Sequence, residues 1–246
     1  MPGAPAPGAA FRVGTTTTAF FVNAPAADDL YFYAVTARDG AGNESPLSDQ
    51  VYVLVDRNAP TGAVNVAGVV PLGPGTYAIT LTVSETLSQA PVLAFAPSEG
   101  SPVALDMLPL TSTVWRATLT VTSGMGDGVG NFVFSARDLI GNLGTVLTSG
   151  TVLALDTRGP VGTLSLSRPS PVSSGTIALS LSLDDAASAP SLSWTPNGGS
   201  SQTVTLAEAA PLNGRNWEGT ITVSTATGDG QAVFAYSALD ARGNPS

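Results

Sequence analysis

The stretch Phe132-Val133-Phe134-Ser135-Ala136-Arg137-Asp138-Leu139-Ile140-Gly141-Asn142 has one weaker copy before it and one after it. The earlier copy is Tyr33-Ala34-Val35-Thr36-Ala37-Arg38-Asp39-Gly40-Ala41-Gly42-Asn43, and the later one is Phe234-Ala235-Tyr236-Ser237-Ala238-Leu239-Asp240-Ala241-Arg242-Gly243-Asn244. Their aspartates are 138 − 39 = 99 and 240 − 138 = 102 residues apart. A period of that size is one small domain per repeat, too long for the turn of a solenoid. Each copy is an alternating apolar run followed by Asp-x-x-Gly-Asn, a strand running into a tight turn.

Composition points the same way. Hydrophobic residues make up 43% of the chain, enough for each repeat to bury a core, while charged residues make up only 11%. Thr, Ser, Val, Ala, Gly and Pro dominate, which suits short strands and many turns. An all-β fold is expected. The charged groups are nine Arg, no Lys and eighteen Asp plus Glu, a net charge of −9 that repels phosphate backbones and anionic lipid surfaces. Nucleic acid and membrane insertion are therefore not expected, and no apolar run reaches the length of a membrane span.

Cys and His are absent. That removes disulfides, thiolate and imidazole metal ligands, and Ser-His or Cys-His nucleophile pairs. The lack of Lys removes Schiff-base chemistry. Among hydrolases only a carboxylate-pair mechanism survives, and no such pair is evident, so the chain is read as a non-enzyme that requires no cofactor.

In chain order, Met1 to Gly8 reads as an extended Pro/Ala/Gly linker. Strand-like runs follow at Thr17 to Asn23, Tyr31 to Arg38 and Val51 to Val55. In the middle run Tyr31, Tyr33, Val35 and Ala37 are expected to face a core. These are the last strands of a domain whose first half is expected to precede the chain. Residues 57–156 supply seven strands, near 62–69, 76–84, 92–96, 103–108, 114–122, 130–138 and 144–155. Residues 157–246 repeat them without the final one. Trp115 and Trp217, 217 − 115 = 102 apart, fall on the apolar side of equivalent strands and are expected in the core, as is Trp194.

The run Tyr-x-Tyr-x-Val-x-Ala followed by Asp-x-x-Gly-Asn-x-Ser-x-x-Ser resembles the second half of a fibronectin type III module. Val55-Asp56-Arg57-Asn58-Ala59-Pro60 and Leu155-Asp156-Thr157-Arg158-Gly159-Pro160 carry prolines 160 − 60 = 100 apart. These Asp-x-x-x-Pro junctions resemble those of bacterial Ig-like repeats in large surface proteins and adhesins. The resemblance implies tandem Ig-like β-sandwich domains arranged end to end: a partial domain over 1–56, a complete one over 57–156 and one lacking its final strand over 157–246. It also implies an extracellular or cell-surface setting and a role as structural stalk or interaction module, partnered by further repeats or other copies of the chain. The alternatives are a filament subunit assembled by strand exchange and an accessory module of a polysaccharide-active enzyme.

In such a domain the loop after the second strand and the turn before the last lie beside the incoming linker. The loop between the fifth and sixth strands lies at the far end. This places Asp127, Asp156, Asp184, Asp185 and Asp240 around the second junction, and Asp28, Asp29, Asp56, Glu85 and Asp138 around the first. Calcium, which takes six to eight oxygens from flexible loops, is the candidate cation. Arg57, Arg137 and Arg158 are the rival neutralisers. Within the Asp-x-x-Gly-Asn turns, Asp is expected to cap the backbone while Gly and Asn accept positive φ.

Overall fold

The structure is a computed structural model that describes residues 13–18 and 20–246. The Pro/Ala/Gly opening lies outside the described residues. The chain divides into two compact units, one ending at Asn58 and the other running from Ala59 to Ser246. Both are built from β-strands, with two short 3-10 turns and no α-helix among the described residues.

In the first unit β1 (Asp29–Tyr33) and β2 (Val51–Val55) form an antiparallel pair with Tyr31 opposite Val53. Tyr31 and Tyr33 share a face, their ring centroids 6.4 Å apart. The strand expected over Tyr31 to Arg38 begins two residues earlier, at Asp29, and stops at Tyr33, leaving Val35 exposed. Beyond Tyr33 the amides of Val35 and Ala37 donate to the hydroxyls of Ser48 and Ser45, so side chains take over part of the ladder. The run expected over Thr17 to Asn23 forms no strand among its described residues. The hydroxyls of Thr16 and Thr18 bond to nearby backbone groups there, a local competitor to strand pairing.

The second unit begins with β3 (Thr61–Val66), β4 (Gly75–Val83), β5 (Val92–Ala96), β6 (Val103–Leu105), β7 (Leu108–Pro109), β8 (Val114–Val121), β9 (Gly128–Arg137), β10 (Leu143–Gly144), β11 (Val146–Ser149) and β12 (Val152–Leu155). One sheet has the order β11-β3-β4-β8-β7, and the other has β10-β9-β5-β6 with β12 also beside β9. A single buried cluster draws Ile79, Leu81 and Leu119 from the first sheet and Leu93, Phe95 and Phe134 from the second. The strict alternation along β4 and β8 sends every second side chain toward that cluster, Ala117 among them, and leaves Thr76, Ala78 and Thr82 of β4 and Arg116, Thr118 and Thr120 of β8 outside.

The run expected as one strand over 103–108 is two strands in different sheets. Leu105 and Met107 are both buried and flank the exposed Asp106, so the chain crosses between layers there. The run expected over 144–155 is three. After β10, β11 runs parallel to β3, and β12 returns antiparallel to β9. Two glycines permit this path. A Cβ at Gly144 would lie 1.7 Å from the Pro60 carbonyl oxygen, and Gly150, with φ +66, would place one 2.0 Å from the Val64 carbonyl oxygen.

The unit continues with β13 (Gly162–Leu166), β14 (Gly175–Leu183), β15 (Ser191–Thr195), β16 (Gln202–Val204), β17 (Leu206–Glu208), β18 (Asn216–Val223) and β19 (Val233–Ser237). The sheet orders β13-β14-β18-β17 and β16-β15-β19 repeat those above. Register repeats too, since Leu81 stands opposite Trp115 and Leu181 opposite Trp217. Trp194 is buried and packs on Phe234 with ring centroids 6.5 Å apart, as Phe95 packs on Phe132 at 5.0 Å.

The two junction-side tryptophans differ in one respect. Trp217 is 8% exposed, and its indole N–H donates to the Gly214 carbonyl at 3.1 Å. Trp115 is half-buried against the core, and its buried Nε1 has no acceptor. Gly214, at φ +73, turns the loop so that its carbonyl faces the indole; no glycine occurs between Leu110 and Val114. Trp217→Ala is expected to cost about 3 to 5 kcal/mol and Trp115→Ala less, about 2 to 3. Replacement by Phe separates them further: Trp115→Phe removes an unsatisfied donor at little cost, whereas Trp217→Phe loses a made hydrogen bond and leaves the Gly214 carbonyl with the Ala187 amide alone. Urea denaturation of the four variants measures the order.

Candidate functional site

The three Asp-x-x-Gly-Asn turns are built alike. In each, the aspartate uses one oxygen to collect backbone amides and the other to hold the asparagine side chain. Asp138 Oδ1 accepts from the amides of Ile140, Gly141 and Asn142 at 2.9, 2.6 and 2.8 Å, and Oδ2 accepts from Asn142 Nδ2 at 2.7 Å. Asp39 accepts from the amides of Ala41 and Asn43 and from Asn43 Nδ2. Asp240 does the same with Arg242, Asn244 and Asn244 Nδ2. Burial works to raise the Asp138 carboxyl, but the bonds from the Asn142 side chain and from the turn amides outweigh it and hold the group below its usual range. At Asp39 the Asn43 side chain and amide lower it likewise.

Glycine supplies the positive φ in every copy, with +92 at Gly42, +104 at Gly141 and +84 at Gly243. The asparagine does not share that role, contrary to expectation. Its function is its amide group. Asn244 is 3% exposed, and its Nδ2 bonds Asp240 at 2.7 Å, the Asp156 carbonyl at 3.0 Å and Asp156 Oδ1 at 3.3 Å. The last residue of the motif therefore fastens the turn to the linker that enters its repeat.

The linker is held from the other side by Asp127. Its Oδ1 accepts from the amides of Thr157 and Arg158 at 2.7 and 3.1 Å. Asp28, 127 − 28 = 99 residues earlier, accepts from the amide of Arg57 and from its guanidinium in the first unit. Pro160 is fully buried, and a Cβ at Gly159 would meet Pro245 at 2.2 Å. On the far side Val161 and Asp184 exchange two bonds, Val161 N–H to Asp184 Oδ1 at 2.7 Å and Asp184 N–H to the Val161 carbonyl at 3.0 Å.

Of the five carboxylates expected around the second junction, three converge. Asp156, Asp185 and Asp240 present oxygens within 4.8 Å of one another. Asp127 and Asp184 are spent on linker amides instead. Burial pushes the Asp156 carboxyl above its usual range, and Asp240, Asp185 and Asp127 push it further against the pull of Arg242. Arg215 contacts Asp185 at 3.1 Å. Arg215 and Arg242 are thus the neutralisers here. The three arginines named from sequence act elsewhere: Arg57 on Asp28, Arg137 on the Gly141 carbonyl of its own turn, and Arg158 on Glu99.

The other expected set divides between the two units. Within the second, Glu85 and Asp138 present oxygens within 4.8 Å of each other. Within the first, Asp56 accepts the Asn58 amide, and Asp29 accepts the Leu30 amide.

As a ligand set, Asp156, Asp185 and Asp240 have the oxygen chemistry and spacing that calcium accepts. Both Asp240 oxygens already serve the turn, and Asp185 serves Arg215, which leaves Asp156 as the carboxylate with most capacity to spare.

No family model matches this sequence, and no curated protein matches it. Among solved structures the chain is similar to the crystal structure of a tetra-tandem repeat in the extending region of a large adhesion protein, at 22% identity and a TM-score of 0.37. The match covers 89% of this chain and 54% of that one, so the chain spans about half the length of the structure it matches.

Asp156→Asn keeps the shape of the side chain and removes its charge. The native carboxyl titrates above the ordinary value of 3.8, so its contribution favours the fold fully below 3.8 and is lost as pH rises through the raised native value. The substitution is therefore expected to stabilise the protein at pH 7 in chelator by up to about 1 kcal/mol, given partial solvent screening. That gain disappears below pH 3.8, where both forms are neutral. Thermal melts across that range measure it.

Proposed function

We propose that this chain is a non-enzymatic spacer, a stretch of structural stalk made of tandem Ig-like or fibronectin-like β-sandwich repeats in a secreted or surface-displayed bacterial protein. The observation that carries the reading is the linker over 155–162. A hinge between domains leaves its backbone free to move. Here the amides of Thr157 and Arg158 are taken by the preceding repeat, and the Asp156 carbonyl and Val161 amide by the following one. The Asp156 amide also donates to the Leu72 carbonyl at 2.9 Å. Such a joint transmits orientation from one repeat to the next, which a spacer needs and an independently acting binding domain does not.

NMR relaxation tests this. The repeats of the second unit are expected to tumble with one correlation time, and Asp127→Ala combined with Asn244→Ala is expected to let them tumble separately. Separate tumbling in the unaltered protein would sink the reading.

Calcium is part of the same proposal, because a cation bound by Asp156, Asp185 and Asp240 would tie the linker to two loops of the following repeat. Millimolar calcium is then expected to raise the melting temperature of the protein by several degrees and to leave that of Asp156→Asn unchanged. Equal melting in calcium and chelator would assign the balancing of charge to Arg215 and Arg242.

A further inference from the structure

The dipeptide Asn-Gly occurs twice in the chain, as Asn197-Gly198 and Asn213-Gly214. In such a pair the glycine amide nitrogen can close a five-membered ring on the asparagine Cγ, and glycine puts no Cβ in the way. The two pairs are alike in sequence and unlike in their surroundings.

At Asn213 the groups that ring closure needs are already in place. The Gly214 amide donates to Glu208 Oε1 at 2.6 Å, so a carboxylate holds the proton that the nitrogen must lose. The Arg215 amide donates to Asn213 Oδ1 at 3.1 Å, on the oxygen where negative charge gathers when Cγ is attacked. The Gly214 carbonyl is fixed by the Ala187 amide at 2.9 Å and by the Trp217 indole at 3.1 Å, which holds the glycine in position. Asn213 itself is exposed and open to water.

A turn at this place does not require asparagine and glycine. The earlier repeat has Thr111 and Ser112 there, and the Thr111 hydroxyl accepts the amides of Thr113 and Val114. The other Asn-Gly pair lacks the arrangement. Asn197 Nδ2, the group that would leave, donates to the Asp229 carbonyl at 2.9 Å, and among the described residues no carboxylate accepts from the Gly198 amide.

We propose that Asn213 is a self-modification site, at which the folded protein converts asparagine into aspartate and isoaspartate with Glu208 as the catalytic base. Gly214 N forms a bond to Asn213 Cγ while Glu208 takes the amide proton. The bond from Cγ to Nδ2 then breaks, and Nδ2 leaves as ammonia with the proton that Glu208 returns. Water opens the cyclic imide at either carbonyl, which leaves aspartate or isoaspartate at position 213. The product adds a negative charge to a chain already at −9, two residues from Arg215, the partner of Asp185 at 3.1 Å. The change therefore falls in the loop that offsets the charge of the joint.

The test incubates the full chain at neutral pH and follows both asparagines by peptide mass spectrometry, in heavy-oxygen water so that imide opening labels the product. In the folded chain Asn213 is expected to convert about tenfold or more faster than Asn197, and in urea the two are expected to convert at similar rates. Glu208→Gln keeps an acceptor for the Gly214 amide and removes the base. It is expected to slow Asn213 about tenfold in the folded chain while leaving Asn197, and both rates in urea, unchanged. Conversion of Asn213 no faster than that of Asn197, slower in the folded chain than in urea, or equal in the parent and Glu208→Gln would overturn the proposal. None of these readings depends on how the linker over 155–162 moves, so this test and that of the spacer fail separately.

Discussion

The interaction on which this architecture depends is a carboxylate gathering backbone amides at a point where the chain would otherwise leave them unpaired. Asp39, Asp138 and Asp240 close the turns with it, and Asp28 and Asp127 hold linkers with it. A chain with no cysteine has no covalent staple for its loops. Charge-assisted bonds to backbone N–H groups, stronger than neutral ones, do that work instead. They also account for most of the chain's scattered acidity, which would otherwise look like a generic solvated surface.

The same device explains why two repeats and their linker form one unit. Asp240 holds Asn244 in place, Asn244 reaches the carbonyl and carboxylate of Asp156, and Asp156 is bonded through its amide to Leu72 of the preceding repeat. Three side-chain bonds thus connect a turn in one repeat to the backbone that leaves the other. The arrangement has an electrostatic cost, because it brings Asp156, Asp185 and Asp240 together, and Arg215 and Arg242 offset only part of the repulsion. The joint is where stability and any response to cations meet.

Between the repeats, conservation of pattern and difference in coverage are equally informative. Strand order, the Leu–Trp register and the aromatic pairs across the second sheet recur. Among the described residues, it is the earlier repeat in which β11 and β12 cover one side of the core. There Val64, Leu72, Phe132 and Phe134 are buried and β9 is ten residues long; in the last repeat the equivalents are half-buried and β19 is five. A strand edge persists only as far as it has a partner, because an unpaired ladder gains nothing over water.

By itself the sequence determined the all-β class, the period of about one domain, the inward faces of β4, β8, β14 and β18, and the burial of Trp194 and Trp217. These follow from alternation and spacing, which act between residues close in the chain. Tertiary structure alone decided that 103–108 and 144–155 switch sheets: the first crosses between layers with Leu105 and Met107 both buried, and the second depends on Gly144 and Gly150, which matter through their approach to Pro60 and Val64. It also decided which carboxylates meet. Asp156, Asp185 and Asp240 were legible as neighbours from topology, but Asp184 stands next to Asp185 in sequence and faces the Val161 amide instead. The roles of Asn244, Arg215 and Arg242 left no local signal, since each is defined by a partner roughly 30 to 90 residues away in the chain or by charge through space. Spacing identifies a residue's face, whereas its bond depends on what the fold brings opposite.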